Sequence, residues 1–303
     1  MGLISGAIDS ALQSVGNGMI NTGEWMLKGG YGMWKSCSEM TMEYVKKSPM
    51  SETHAWAIVT GPIYSLSMGV AASLAVLFFV MGWLRESVDI RNNFTLENTF
   101  RFFVRFAITT SLIVNGLSLM NGILQCTTVV VRTIDLEMQD MEEAGIFQEL
   151  REVIEADETA DGGTWLAVGF GSMIGGLLGG LVIIVCGVNL ILSVLSRLFK
   201  LLLCIPFAPV AFSGFAGGAE FAQSGIAWLR TFIGYAMEAI VIALAISISF
   251  GLFLDADLFP QPGGGVTMVT LILQICEYCM PMITACACVK GAEMTIRRCL
   301  GLG

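Results

Sequence analysis

A chain of 303 residues of which 55% are Ala, aliphatic, aromatic, Met or Cys and only 14% are charged lacks the polar residues that cover a water-soluble globule, which carries roughly 25% charge. The mean hydropathy of +0.74 agrees. Together they exclude a cytosolic enzyme, a coiled coil and a disordered scaffold, and predict an all-α polytopic integral membrane protein.

The net charge of −9 has a location. Between Arg132 and Asp161 eleven acids meet two bases, and the rest of the chain has 14 of each. The acidity therefore reports one hydrophilic insert between two apolar runs, a loop on one side of a membrane.

In chain order, residues 1–55 predict an amphipathic N-terminal helical segment. Ile4, Ile8, Leu12, Val15 and Met19 recur at helical spacing opposite Asp9, Gln13, Ser14 and Asn17. A second stretch, 24–47, mixes Trp25, Met26, Met33 and Trp34 with lysines and glutamates. The two read as segments in the outer interface or packed against partner subunits, or as a surface-lying helical hairpin of no special function. Neither has a basic start followed by an apolar core, so no cleavable signal peptide is expected.

A hydrocarbon core of about 30 Å needs roughly 20 apolar residues per helix. Five stretches qualify: 56–84, 102–131, 164–196, 228–254 and 266–290. They divide the chain into two spans with a basic cytoplasmic loop (56–131), an acidic extracytoplasmic loop (132–163) and a C-terminal transmembrane core (164–303). A sixth apolar run, 198–216, contains Pro206 and Pro209 and leads into Gly217 and Gly218. Two prolines so close break a straight helix, and the run reads as a re-entrant or interfacial hairpin. Grouping Arg85, Arg91, Arg101 and Arg105 with Arg197, Lys200 and Arg230 and with Lys290, Arg297 and Arg298 on the cytoplasmic side satisfies the positive-inside bias. The expected protein is multi-pass in the plasma membrane, with its N-terminus outside and its C-terminus in the cytoplasm.

Gly171, Gly175 and Gly179 form one small-residue row on the third span, and Ser172, Gly176 and Gly180 form the next. Rows without Cβ atoms let helix backbones approach closely where lipid removes the usual drive to associate. The contact is intersubunit or internal.

Glu238 and Glu277 fall about 15 and 16 Å into their spans, near the midplane. No Lys or Arg is expected at that depth, so each acid faces protein or water, or is protonated. They read as a polar lining or proton-bearing site, or as neutral acids bonded to Asn115, Asn121 or Asn189.

Cys276 and Cys279 make C-x-x-C, and Cys286 and Cys288 make C-x-C. Along a membrane helix, with His54 the one histidine in the chain, these read as packing thiols rather than a metal or redox site. No cofactor or metal is expected. No G-x-x-x-x-G-K-[ST] run is present, so energy from ATP would come from a partner.

Leu203-Cys-Ile-Pro-Phe-Ala-Pro-Val-Ala-Phe212 resembles the proline-broken segment of TrbL-type conjugation proteins, related to the sixth VirB component of type IV secretion systems. Ala227-Trp-Leu-Arg-Thr-Phe-Ile-Gly-Tyr-Ala236 is similar to the Trp-led helix that follows it there. Pro281-Met-Ile-Thr-Ala-Cys-Ala-Cys-Val-Lys-Gly-Ala-Glu293, closing on Gly301-Leu-Gly, looks like the Gram-positive branch found on mobile elements. The resemblance covers roughly residues 165–303. It implies a non-enzymatic channel or scaffold subunit for DNA transfer, homo-oligomeric and assembled beside ATPases. Contact with transferred DNA would be brief and electrostatic, because no basic patch suited to nucleic acid appears. An ion-coupled secondary transporter using Glu238 and Glu277, or a purely structural membrane anchor, are the other readings.

Overall fold

The computed structural model describes residues 2–51, 53–88, 96–134, 162–254, 268–299 and 301. The acidic segment 135–161, the centre of the basic loop at 89–95 and the connection 255–267 lie outside the described residues. Everything described is helical or turn: α1 (Gly2–Lys46), α2 (Thr53–Ile58), α3 (Tyr64–Val88), α4 (Leu96–Arg132), α5 (Gly162–Cys204), α6 (Ala208–Ser213), α7 (Ala219–Leu254) and α8 (Met268–Cys299). Five stretches are long and apolar enough to cross a bilayer: His54–Arg85, Phe100–Arg132, Gly162–Gly217, Ala219–Ser249 and Leu271–Ala292. These are the five expected spans, with the proline-broken run joined to the third.

The chain forms two compact units, each drawn from several segments. The first comprises Met1–Met42, Asp135–Leu192 and Leu244–Lys290. The second comprises Glu43–Ile134, Ser193–Ala243 and Gly291–Gly303.

In the first unit, α1 corrects the expected pair of N-terminal segments. It is one helix of 45 residues, because nothing between Met19 and Trp25 breaks it; Gly23 alone is tolerated in a helix. The buried face is also not the expected one. Ile8 and Val15 are exposed, whereas Ile20, Leu27 and Trp34 are buried in line with Gly16, Gly23 and Gly30. A helix that buries glycines gains less from transfer of side chains out of water than from backbone approach.

In the second unit, α3 and α4 pack with the proline-broken segment around Tyr64, Ile113, Met120, Leu124, Ile205 and Phe212. Where α3 begins, Pro62 has no amide to offer, and the chain passes through a π-helical turn over Val59–Ile63 with Gly61 outside helical geometry. The α3–α4 pair carries an aromatic cluster: Phe79 lies 4.9 Å from Phe106 and 5.8 Å from Phe103, and Trp83 lies 6.1 Å from Phe102. Arg85 and Arg105 flank it in sequence, the pairing of rings and bases typical of a membrane–water boundary.

Candidate functional site

The proline-broken run sits differently from expectation. Pro206 opens a 3₁₀ turn (Ile205–Phe207) and Pro209 opens α6, each near a helix start where its missing amide costs nothing. The pieces keep their direction: the Ser67 hydroxyl donates to the Pro206 carbonyl, and further along α3 the backbone at Gly82 meets that at Gly217. The chain reverses only at Gly218, whose φ of 97° suits glycine. The hairpin is thus larger than expected. Its first arm runs from Arg197 to Gly217, with Pro206 and Pro209 inside it, and its second arm is the start of α7.

Trp228 zips the arms together. Its indole Nε1 donates to the Cys204 carbonyl at 3.1 Å, and its ring lies 5.0 Å from Phe212 and 5.2 Å from Phe232. Nearer the tip, Gly225 packs on Phe215 and Gly214 on Phe221, where a Cβ would collide.

At the open end of the hairpin lies a feature that sequence reasoning missed. Arg197 is 6% exposed and Glu238 is 5% exposed. The guanidinium donates to the carbonyls of Tyr235 at 2.8 Å and Ala236 at 3.4 Å, and the Glu238 carboxylate is close enough to act on its charge. This corrects the expectation that no Lys or Arg shares the depth of Glu238. Its place beside the proline-broken run groups Arg197 with Lys200 and Arg230 under the positive-inside bias; its partners become visible only when the hairpin closes. Removing the guanidinium would leave two buried carbonyls without their donor, worth about 1–3 kcal/mol. Lys200 lies one turn further along, 5.9 Å from the centre of the Tyr235 ring. A small pocket beside Arg197 is lined by Tyr44, Lys47, Ser48, Pro49, Leu195 and Leu198.

The expected grouping of bases changes accordingly. Arg85 pairs with Glu220 next to the hairpin tip, and Arg105 approaches Gly218. Arg197 lies about 30 Å away along the arm at 1.5 Å per residue. Arg132, expected on the opposite side from Arg197, reaches the Lys46 carbonyl at 3.5 Å, and Lys47 lines the pocket beside Arg197. Within this unit, Arg197 shares its end with Arg132, not with Arg85.

Two of the asparagines proposed as acid partners bond their own helices. Asn115 donates to the Ser111 carbonyl at 3.0 Å and Asn189 to the Val185 carbonyl at 2.8 Å, both within their own helices. Glu277 is half-buried in α8.

In the first unit both small-residue rows of α5 are occupied. Gly175 abuts Ile275, and Gly179 abuts Leu27, Ile275 and Cys279; Gly171 is buried. The row of Ser172, Gly176 and Gly180 takes α1 backbone to backbone. Gly16 meets Trp165 and Gly169, Gly23 meets Ser172 and Gly176, Gly30 meets Gly180, and Trp34 and Cys37 close over Gly187. Numbers rise together on both helices, so α1 and α5 run parallel. The seven-residue spacing of Gly16, Gly23 and Gly30 was the available signal for this contact.

That contact sets a polar helix beside an uncharged one. No Asp, Glu, Lys or Arg occurs between Gly162 and Ser196, whereas α1 carries Glu24, Lys28, Lys35 and Glu39 over the matching length. A charged side chain at hydrocarbon depth costs about 2.5–3.5 kcal/mol on insertion scales.

The thiols of the C-x-x-C pair divide between environments, Cys279 buried and Cys276 exposed, as do Cys286 and Cys288. Among the described residues no group of three or more His, Cys, Asp or Glu side chains is placed to hold a metal ion.

Comparison with protein-family models, curated proteins and solved structures yields no match. The residues themselves carry the assignment: by its helix-length apolar runs, the chain is a polytopic membrane protein.

Proposed function

We propose that this protein is a non-enzymatic channel or scaffold subunit of a conjugative type IV secretion system, supporting transfer of a DNA–protein substrate across the plasma membrane. The observation that carries the reading is the hairpin. Two of the three sequence stretches that resemble TrbL-type proteins, Leu203–Phe212 and Ala227–Ala236, lie on its two arms, joined by the Trp228–Cys204 hydrogen bond. Residues scattered in the sequence resemblance therefore make one packed feature. In this reading the subunit is homo-oligomeric, works beside ATPases that supply energy, and meets DNA transiently.

The rival, an ion-coupled transporter, draws on Glu238 and Glu277 as coupling carboxylates. The Arg197 guanidinium, bound to the neighbouring Tyr235 and Ala236 carbonyls, places a positive charge near Glu238 and weakens the role. A purely structural anchor is the remaining reading.

The test is an in-frame deletion in the host element, scored by mating frequency. Transfer falls to background without the chain and returns when it is supplied in trans. Transfer at normal frequency in the deletion strain refutes the proposal.

A further inference from the structure

The pocket beside Arg197 belongs wholly to the second unit. Tyr44, Lys47 and Ser48 form its polar side, and Val194, Leu195 and Leu198 form an apolar wall. Arg197 lines it too, although only 6% of the residue is exposed. Its Nε and Nη2 donate to the Tyr235 and Ala236 carbonyls, and Nη1 donates to no group among the described residues. A guanidinium holds its donors in a fixed fork, so a buried nitrogen with two hydrogens is left to serve the pocket. Lys47 is already engaged: Glu43 holds its ammonium at 2.6 Å, and the Tyr44 ring centre lies 5.7 Å away.

Charge and depth together select the ligand. Among the described residues at this end, five bases (Lys46, Lys47, Arg132, Arg197 and Lys200) outnumber two acids, Glu43 and Glu238. The local pairs therefore leave a positive surplus. The apolar run of α4 ends at Arg132, whose Nε reaches the Lys46 carbonyl at 3.5 Å. Arg197 lies about 30 Å along the arm from the hairpin tip, where Arg85 and the aromatic cluster mark one membrane boundary, and a hydrocarbon core is about 30 Å thick. The pocket is thus level with the lipid headgroups at the opposite boundary.

We propose that this pocket holds the phosphate of an anionic phospholipid, with Nη1 of Arg197 as its buried donor and the lipid glycerol against Val194, Leu195 and Leu198. Guanidinium–phosphate bonds are charge-assisted and strong, and basic pockets between membrane helices take such headgroups. A zwitterionic lipid would bring its own ammonium into the positive surplus and is disfavoured. The inference goes beyond the secretion reading and stands without it.

The test is native mass spectrometry of the full chain, purified in detergent and offered equal amounts of phosphatidylglycerol and phosphatidylcholine with matched acyl chains. The chain should retain one phosphatidylglycerol over phosphatidylcholine by at least about fivefold, the preference expected from one net basic group. Lys47 and Glu43 have side chains 50% and 67% exposed, so changing either leaves the fold intact. Lys47→Gln leaves Glu43 unpaired beside the pocket and should lower the preference; Glu43→Gln releases Lys47 from that pair and should raise it. Arg197→Gln should abolish the preference, and the two exposed variants guard against its misfolding. Arg85→Gln, which breaks an equally exposed pair at the other end of the unit, should change nothing. Equal retention of the two lipids overturns the proposal, as does a failure of the Lys47 and Glu43 variants to move in opposite directions. An Arg85→Gln loss as large as that of Lys47→Gln would mean diffuse attraction instead of a site. Displacement of phosphatidylglycerol by inorganic phosphate would refute lipid as the source of the phosphate.

Discussion

Replacing Gly23 by alanine separates backbone approach from every other reason for a glycine in α1. An added Cβ would lie 2.3 Å from the Ser172 carbonyl oxygen and 2.6 Å from its carbon, where ordinary contact begins at 3.4 Å. The obstacle is main chain in a regular helix, which cannot swing aside as a side chain does. The helices must therefore part by about 1 Å, a gap that forfeits a quarter to a half of each dispersion contact along the seam. Overpacking of this kind costs about 1–3 kcal/mol. Alanine also gains up to about 1 kcal/mol of helix propensity over glycine, so the single variant mixes two terms of opposite sign. Gly29→Ala removes the ambiguity: it has the same propensity gain, and nothing lies within 4 Å of its added Cβ. The difference between the two variants is then the clash alone. Titration of the detergent-solubilised protein with SDS, followed by far-UV circular dichroism, should show Gly23→Ala less stable than Gly29→Ala by about 1–3 kcal/mol. Coincident curves would falsify the backbone contact between α1 and α5.

Two further outcomes test the second unit in the same assay. Arg197→Met should cost about 1–3 kcal/mol because the Tyr235 and Ala236 carbonyls lose their buried donor, and adding Glu238→Leu should recover part of that loss if the nearby charges attract. An additive double variant would mean the two groups do not interact. Gly218→Ala should cost about 1–3 kcal/mol, since its φ of 97° and ψ of −171° lie in a region that side chains avoid; a neutral result would place the reversal of the chain elsewhere.

The spans were legible because runs of roughly twenty mostly apolar residues leave few alternatives. The break at Pro206 and Pro209 was legible for the same local reason, a missing amide. What the sequence hid depends on partners distant along the chain. Arg197 looks like a loop base beside an apolar run until α7 returns antiparallel and brings Tyr235, Ala236 and Glu238 to it. The face that α1 buries was hidden because glycine contributes nothing to a hydrophobic pattern, so Ile8 and Val15 suggested a side that stays exposed. The hairpin tip is set by neither proline but by Gly218, at φ 97°. Asn115 and Asn189 illustrate a last ambiguity. An asparagine near the midplane can satisfy itself on its own helix one turn back, and both do.

The heptad interval of Gly16, Gly23 and Gly30 carries a constraint on chain length. An α-helix with 3.6 residues per turn drifts by about 20° per heptad, so keeping these three positions on one seam makes the two rods wind about each other with left-handed coiling. Lengthening α1 by one residue between Gly23 and Gly30 would rotate everything beyond it by about 100°, lifting Trp34 off Gly187 and carrying the charged side round toward α5. A seven-residue addition made in both rods at once would preserve the phase. Variation in the span of this coiled pair is therefore permitted only in whole repeats, taken together.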